Sequence, residues 1–201
     1  MVHPEITGFV LAGGKSSRMG TDKAALSLQG HTLLERALDI LWQVCGNVAI
    51  LGNPELYGSL GTVYPDIFPD CGPLSGIHVA LTNTQTKFNL IIAVDTPFLS
   101  AQFLSYMAER AIASDSIVTT PEINGYVQPL CSVYSHDFLL IAHQALKSGN
   151  YKIVPLFPKD NTLVIPESEL RQFAFTPDMF ENLNTPDDLA RAQRRFTGHD
   201  K

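Results

Sequence analysis

Along roughly the first 120 residues of this 201-residue chain, short apolar runs ending in glycine or proline alternate with segments of helical period. No other feature constrains the fold as much. Ile6 to Ala12 is an apolar run broken by Gly13-Gly14, and Val48 to Leu51 ends at Gly52-Asn53-Pro54. Thr62-Val63-Tyr64 is a weaker strand stopped by Pro65, and Phe88 to Val94 is apolar on both faces and followed by Asp95-Thr96-Pro97. Between these runs, Thr32-Leu33-Leu34-Glu35 has the spacing of a capping box. Leu34, Leu38, Leu41 and Cys45 then stripe one helix face, with Gly46 expected as the stop. A Pro/Gly-rich stretch from Pro65 to Gly76 leads into a helix ending near Thr82. Ser100 caps a helix carrying Phe103, Leu104, Met107, Ala111 and Ile112.

Strands buried on both faces and separated by helices predict a mostly parallel sheet covered on each side, a three-layer α/β/α fold. Ligands of such sheets sit at the carboxyl ends of the strands, where residues 13–23 and 95–97 fall. Further strands are expected at Ser116–Thr120, Gln128–Tyr134, Leu163–Ile165 and Phe173–Phe175, with a helix from Asp137 to Lys147 stopped by Gly149. The last helix opens on Thr185 as N-cap with Pro186 next. Asp187 and Asp188 lie at its positive end, and Arg191, Arg194 and Arg195 toward its negative end. With no repeat, low-complexity tract or linker, the chain reads as one domain over 1–201, regular over 1–120 and less regular over 121–201.

Apolar residues make up 45% and charged residues 17% of the chain, enough for a buried core and too little charge for a disordered one. Leu90 to Val94 is as long as any uninterrupted apolar run, far below the ~20 residues of a membrane span. The opening Met-Val-His-Pro-Glu lacks the basic and apolar regions of a signal peptide, so a cytoplasmic protein is expected. A net charge of −6 argues against nucleic acid or an anionic membrane as partner. Cys45, Cys71 and Cys131 are odd in number and share no C-x-x-C, so neither a disulfide framework nor structural zinc is expected. His136 and His143, seven apart, read as a solvated helix surface in preference to a metal pair. Trp42 and the methionines read as core.

Only five Lys/Arg fall within residues 1–100, and three of them, Lys15, Arg18 and Lys23, lie in the Gly-rich turn after the first strand. Three glycines there allow close backbone approach to a ligand, Arg18 offers a planar fork and Lys23 a mobile charge, together a cradle for a polyphosphate. Two other phosphate motifs are excluded. A Walker A would need glycine at the position of Phe9, with Gly8 one residue too early, and no G-x-G-x-x-G is present. Asp95, at the end of the strongest strand, is a candidate Mg²⁺ anchor; as an alternative it forms an Asx turn before Pro97.

The segment Leu11-Ala12-Gly13-Gly14-x-x-x-Arg18-Met19-Gly20-x-Asp22-Lys23 resembles the molybdenum cofactor guanylyltransferases of the nucleotidyltransferase superfamily. Cytidylyl and sugar-nucleotidyl relatives usually have Pro-Lys in place of Asp22-Lys23, and cytidylyl enzymes favour Ala-Ala-Gly. The resemblance continues in order through Gly72-Pro73-Leu74-Ser75-Gly76, Asp95-Thr96-Pro97-Phe98, Gln128-Pro129-Leu130 and Asn182-Leu183-Asn184-Thr185-Pro186-Asp187-Asp188-Leu189, nearly the whole chain. It implies a Rossmann-like fold of the nucleotide-diphospho-sugar transferase type. The implied reaction is attack by the terminal phosphate of molybdopterin on the α-phosphorus of GTP, with release of pyrophosphate.

Arg18, Lys23 and Asp95 are then the catalytic candidates, and Leu11, Ala12, Gly13, Gly14, Lys23, Asn53, Asp66 and Asp95 the nucleotide-binding ones. Asp95 anchors Mg²⁺, while Ser75, Gly76, Gln128, Asn182 and Asn184 face the acceptor. Asn53 and Asp66 alternatively serve turns, Asp70 is an equal candidate to Asp66, and Asn182 and Asn184 alternatively cap secondary structure. Implied partners are GTP, molybdopterin or its molybdenum-loaded form, and proteins that insert the metal or receive the finished cofactor. Rival readings are a CTP-dependent molybdopterin or sugar-phosphate transferase and a non-catalytic molybdopterin carrier.

Overall fold

The structure, a computed structural model, describes residues 2–13 and 22–197. Chain order runs β1 (His3–Leu11), β2 (Ser27–Leu28), β3 (His31–Thr32), α1 (Leu33–Trp42), β4 (Cys45–Leu51), α2 (Pro54–Tyr57), β5 (Val63–Tyr64), α3 (Pro73–Thr82), β6 (Phe88–Ala93), α4 (Ala101–Ser114) and β7 (Val118–Ile123). It continues through β8 (Tyr126–Val127), β9 (Cys131–Ser135), α5 (Phe138–Lys147), β10 (Thr162–Ile165), α6 (Glu167–Leu170) and α7 (Pro186–Thr197). The main sheet of the described residues has the order β10-β7-β9-β6-β1-β4-β5, with β8 on the edge of β7. Its centre is parallel: β1 pairs with both β4 and β6, and β4 with β5. β9 runs against its neighbours β6 and β7, and the short β8 runs against β7.

The strand alternation predicts two buried faces, and both are filled. Ile6, Val10, Ile50, Leu90, Ile92 and Val133 meet α1, α4 and α7 on one side, where Leu34, Leu41, Phe103, Leu104 and Ala192 pack. Phe9, Ala49, Leu51, Ile91 and Tyr134 meet α3 and α5 on the other, against Leu74, Ile77 and Phe138. Layers on both sides bury the middle of β1 and of β6 on both faces, at Ile6, Phe9 and Val10 and at Leu90, Ile91 and Ile92, with Thr7 and Asn89 as buried polar residues among them. No described helix is long and apolar enough to cross a membrane.

Helix starts follow their local chemistry. Thr32 and Glu35 close the expected capping box, with Glu35 N to Thr32 Oγ1 at 3.1 Å and Thr32 N to Glu35 Oε2 at 2.7 Å. Ser100 Oγ accepts from Phe103 N at 3.2 Å, and Thr185 Oγ1 from Asp188 N at 3.2 Å.

Several expectations are corrected. Cys45 and Gly46 belong to β4 and not to the end of α1, which stops at Trp42. Gly46 is there for space: a Cβ would lie 2.7 Å from Pro4 Cα and 2.9 Å from Pro4 O on the neighbouring strand. Trp42 is exposed, while Met107 and Met179 are core as expected. The strand placed at Ser116–Thr120 runs instead from Val118 through Pro121 to Ile123, Pro121 being tolerated next to the short edge strand β8. That placed at Gln128–Tyr134 begins at Cys131. Phe173–Phe175 is no strand: Arg171–Phe173 is a 3-10 turn and Ala174 adopts a φ of +60°. Its aromatic residues face α4, with the Phe175 ring 5.3 Å from Phe103 and Phe173 4.9 Å from Tyr106. His143 lies against His78, Nδ1 to Nε2 at 3.1 Å, and is not part of a solvated face with His136.

Candidate active site

Because β1, β4 and β6 are parallel, their carboxyl ends meet at one rim of the sheet. A cleft of about 600 Å³ opens there, lined by Leu11, Ala12, Gly13, Leu51, Ala93, Val94 and Leu130 at its floor. Lys23 and Asp95 stand on one wall; Asp66, Asp70, Gly72, Pro73 and Gly76 form the other. Lys23 and Asp95, 72 positions apart in sequence, converge at this rim.

Asp95 follows β6 in a turn tightened by Thr96, whose Oγ1 donates to Ala93 O at 2.8 Å. Its carboxylate accepts from Lys23 Nζ at 2.7 Å, and its carbonyl accepts from Leu183 N at 2.9 Å. The next residue after Leu183, Asn184, offers Oδ1 to the same ammonium at 2.7 Å. Both side chains of the ion pair are about a fifth exposed, 19% for Lys23 and 20% for Asp95, so the pair is shielded yet reachable from the cleft. Lys23 begins a 3-10 turn capped by Asp22, whose Oδ1 accepts from Ala24 N at 3.0 Å.

The glycine turn leaves β1 with the Ala12 and Gly13 amides both donating to Leu51 O, at 3.0 and 3.1 Å. The Gly13 amide is therefore committed to β4, and what Gly13 contributes to the cleft is room. Gly14 and Arg18, the remaining members of the expected phosphate cradle, lie outside the described residues.

On the opposite wall, Asp66 and Asp70 both line the cleft, so neither displaces the other as nucleoside candidate. Ser75 is fully buried and its Oγ donates to Asp66 Oδ1 at 3.1 Å; it orients that carboxylate and is not itself among the residues lining the cleft. Gly76 is a packing position as well as a cleft residue: a Cβ there would come 2.2 Å from Leu11 Cδ2. Asn53 caps α2 by accepting from Glu55 N at 2.9 Å, and is not among the residues lining the cleft. Gln128 Nε2 donates to Tyr126 O at 2.9 Å on the hairpin next to Leu130. Asn182 is exposed beside Leu183. The sequence reading thus brings Leu11, Ala12, Gly13, Lys23, Asp66, Gly76, Asp95 and Asn184 to one place and leaves Asn53, Gln128 and Asn182 at its margins. It did not assign a role to Leu51 or Leu130, which pattern alone marks only as core.

Asp66, Asp70 and Asp95 line the cleft together with Lys23 among the described residues. Carboxylates beside a polyphosphate suit one that carries a divalent cation. No three metal-ligating groups converge among the described residues, and Mg²⁺ commonly takes only one or two protein carboxylates, completing its shell with phosphate oxygens and water. Asp95, partly exposed at a strand end, fits that donor set.

A parallel α/β sheet with a glycine turn, a lysine–aspartate pair and a nucleotide-sized cleft at its carboxyl rim defines a nucleotidyltransferase. The family model described as MobA-like NTP transferase domain matches residues 8–157. A probable molybdenum cofactor guanylyltransferase of Pelotomaculum thermopropionicum is 35% identical over 94% of this chain and 92% of its own. The molybdenum cofactor guanylyltransferase of Desulfosudis oleivorans is 34% identical over 94% of each. Among solved structures, molybdopterin-guanine dinucleotide biosynthesis protein A of Archaeoglobus fulgidus superposes with a TM-score of 0.83, at 24% identity, over 96% of this chain and 99% of its own. The chain belongs to the MobA-like nucleotidyltransferase family.

Proposed function

We propose that this protein transfers GMP from GTP to the terminal phosphate of molybdopterin, forming the guanine dinucleotide cofactor. The acceptor phosphate oxygen attacks the α-phosphorus, the bond between the α-phosphorus and the bridging oxygen breaks, and pyrophosphate leaves with the electron pair. The observation that carries this reading is the Lys23–Asp95 pair held at 2.7 Å on the cleft wall beside the glycine turn. The names of the relatives above supply the choice of guanine and of molybdopterin.

Transfer between phosphates asks for in-line placement and neutralised charge, with little covalent chemistry from the protein. A phosphate nucleophile is already ionised near neutral pH, so the site requires no tuned base. Lys23, with Arg18 and the turn at Gly13-Gly14, holds the β- and γ-phosphates and stabilises the leaving pyrophosphate. Asp95 would hold Mg²⁺, which when bound supplies neutralisation of the polyphosphate charge. Leu11 and Ala12 floor the nucleotide side; Asp66, aligned by Ser75, and Asn53 contact the nucleoside. Gly76, Gln128, Asn182 and Asn184 form the acceptor side. On this reading residues 1–120 are the nucleotide half and 121–201 the acceptor half of one cytoplasmic domain.

The test is pyrophosphate release from GTP with Mg²⁺, with and without molybdopterin, alongside competition by CTP, ATP and UTP. Release dependent on molybdopterin and preferring GTP is expected. A preference for CTP overturns the choice of nucleotide, and binding of GTP with no pyrophosphate under any condition overturns the enzyme in favour of a carrier.

A further inference from the structure

We propose that Tyr57 is a positioning residue for Lys23, acting through Asp22; this rests on the reading of Lys23 as the polyphosphate-binding cation. Tyr57 ends the short helix α2, where its amide donates to Asn53 O at 3.1 Å. From there its side chain is buried, 7% exposed. Its hydroxyl donates to Asp22 Oδ2 at 2.7 Å and lies 3.5 Å from Ala12 O, the last carbonyl before Gly13. The other Asp22 oxygen accepts from Ala24 N at 3.0 Å, and the Asp22 carbonyl accepts from Ala25 N at 3.2 Å. One carboxylate therefore joins the phenol to the turn on which Lys23 is carried.

Packing alone does not account for this tyrosine. A phenylalanine would fill the same space without a hydroxyl to desolvate, and burying a hydroxyl is costly unless it is hydrogen-bonded. The bond to Asp22 meets that cost, and charge-assisted bonds of this kind are the strong ones. Burial, then the Asp22 contact, push the phenol well above its ordinary range, so it stays protonated and remains the donor. Ala12 precedes Gly13, the last described residue before the segment carrying Gly14 and Arg18, and Asp22 is the first described residue after it. Tyr57 touches both Ala12 and Asp22, so it ties the end of β1 to the residue from which the Lys23 turn begins. Lys23 must in turn reach Asp95 and Asn184 together, each at 2.7 Å, which leaves little freedom in where its turn begins.

Tyr57→Phe removes the bond and keeps the ring; Asp22→Asn keeps a hydrogen-bonding partner for both the phenol and Ala24 N. GTP affinity measured by calorimetry with Mg²⁺, and steady-state pyrophosphate release, are compared in the wild type, Tyr57→Phe, Asp22→Asn, Lys23→Ala and the Tyr57→Phe/Lys23→Ala double variant. All are assayed well below the lowest melting temperature. Tyr57→Phe is expected to lower GTP affinity and kcat/KM by about tenfold, most of the latter in kcat, and Asp22→Asn to stay within about threefold of wild type. In the Lys23→Ala background the same Tyr57→Phe change is expected to alter GTP affinity less than about twofold, because the group it positions is gone. If Tyr57→Phe does not fold, Asp22→Ala removes the phenol's partner from the more exposed side and takes its place in the cycle. Wild-type behaviour of Tyr57→Phe in an active enzyme, or an equal loss with and without Lys23, overturns the positioning role and leaves the proposed reaction standing. Failure of the wild type to bind GTP overturns the proposed reaction, and this role with it.

Discussion

Replacing Lys23 with methionine removes the ammonium while keeping most of the side chain's length, and two consequences separate by size. At 2.7 Å and an effective dielectric near 20, the attraction between Lys23 and Asp95 is about 6 kcal/mol before its costs. Desolvation and side-chain ordering offset most of it. With the two side chains 19% and 20% exposed, the loss should fall between the ~0–1 kcal/mol of a surface pair and the ~3–5 kcal/mol of a broken buried one. We expect Lys23→Met to cost about 1–3 kcal/mol of stability, read as a modest drop in urea midpoint. Its effect on turnover should be much larger. A donor aimed at charge that develops on a leaving group is worth about 10²- to 10³-fold in kcat. Asp95→Asn should be similarly inactive but closer to wild type in stability, since its amide oxygen still accepts from Lys23. The assay is pyrophosphate release at saturating GTP, alongside urea unfolding. A Lys23→Met protein retaining kcat within about threefold of wild type would refute the assignment of Lys23 to the leaving group.

Other outcomes follow from named contacts. Gly46→Ala should cost about 1–3 kcal/mol through overpacking against the Pro4 backbone, lowering the melting temperature while leaving kcat near wild type in the protein that remains folded. Thr32→Ala should cost about 1–2 kcal/mol by opening the capping box of α1, measured by denaturant unfolding. His78 is held below its ordinary range by burial first and by His143 second. Its unfolded form therefore takes up a proton that the folded form resists, and stability should decline as pH falls below about 6.5. Melting temperatures against pH should follow that slope in the wild type and lose part of it in His78→Phe.

What was legible in the sequence is what local chemistry or period decides. The strand ending at Gly13, the capping box at Thr32, the Ser100 and Thr185 caps and the apolar strand before Asp95 each depend on neighbours within a few residues, and each is present. Asp95 and Lys23 were legible as chemistry, and their contact followed once both were placed at carboxyl strand ends. Misreadings arose where a distant partner decides. Gly46 has the look of a helix stop, yet its small size answers the backbone of Pro4 on another strand. Phe173–Phe175 has strand-like composition, but its rings are drawn out of any ladder by Phe103 and Tyr106 on α4. Less legible than either were the bonds that Asn53 and Ser75, read as ligand contacts, also make within the protein, to Glu55 N and to Asp66. The link from Tyr57 to Asp22 spans 35 positions and leaves no periodic trace.

The reversal of β9 between β6 and β7 has a consequence for how such enzymes diversify. Its neighbours on the central sheet send their outgoing loops to the ligand rim, but β9 presents its incoming one: Cys131 sits opposite Ile92, and Ala93 N donates to Leu130 O at 2.9 Å. Residues 124–130 are thereby delivered to the rim by a connection that does not pass through the glycine turn or the Asp95 corner. Evolution can lengthen, shorten or rewrite that hairpin to suit a different acceptor while the grip on the nucleotide stays untouched.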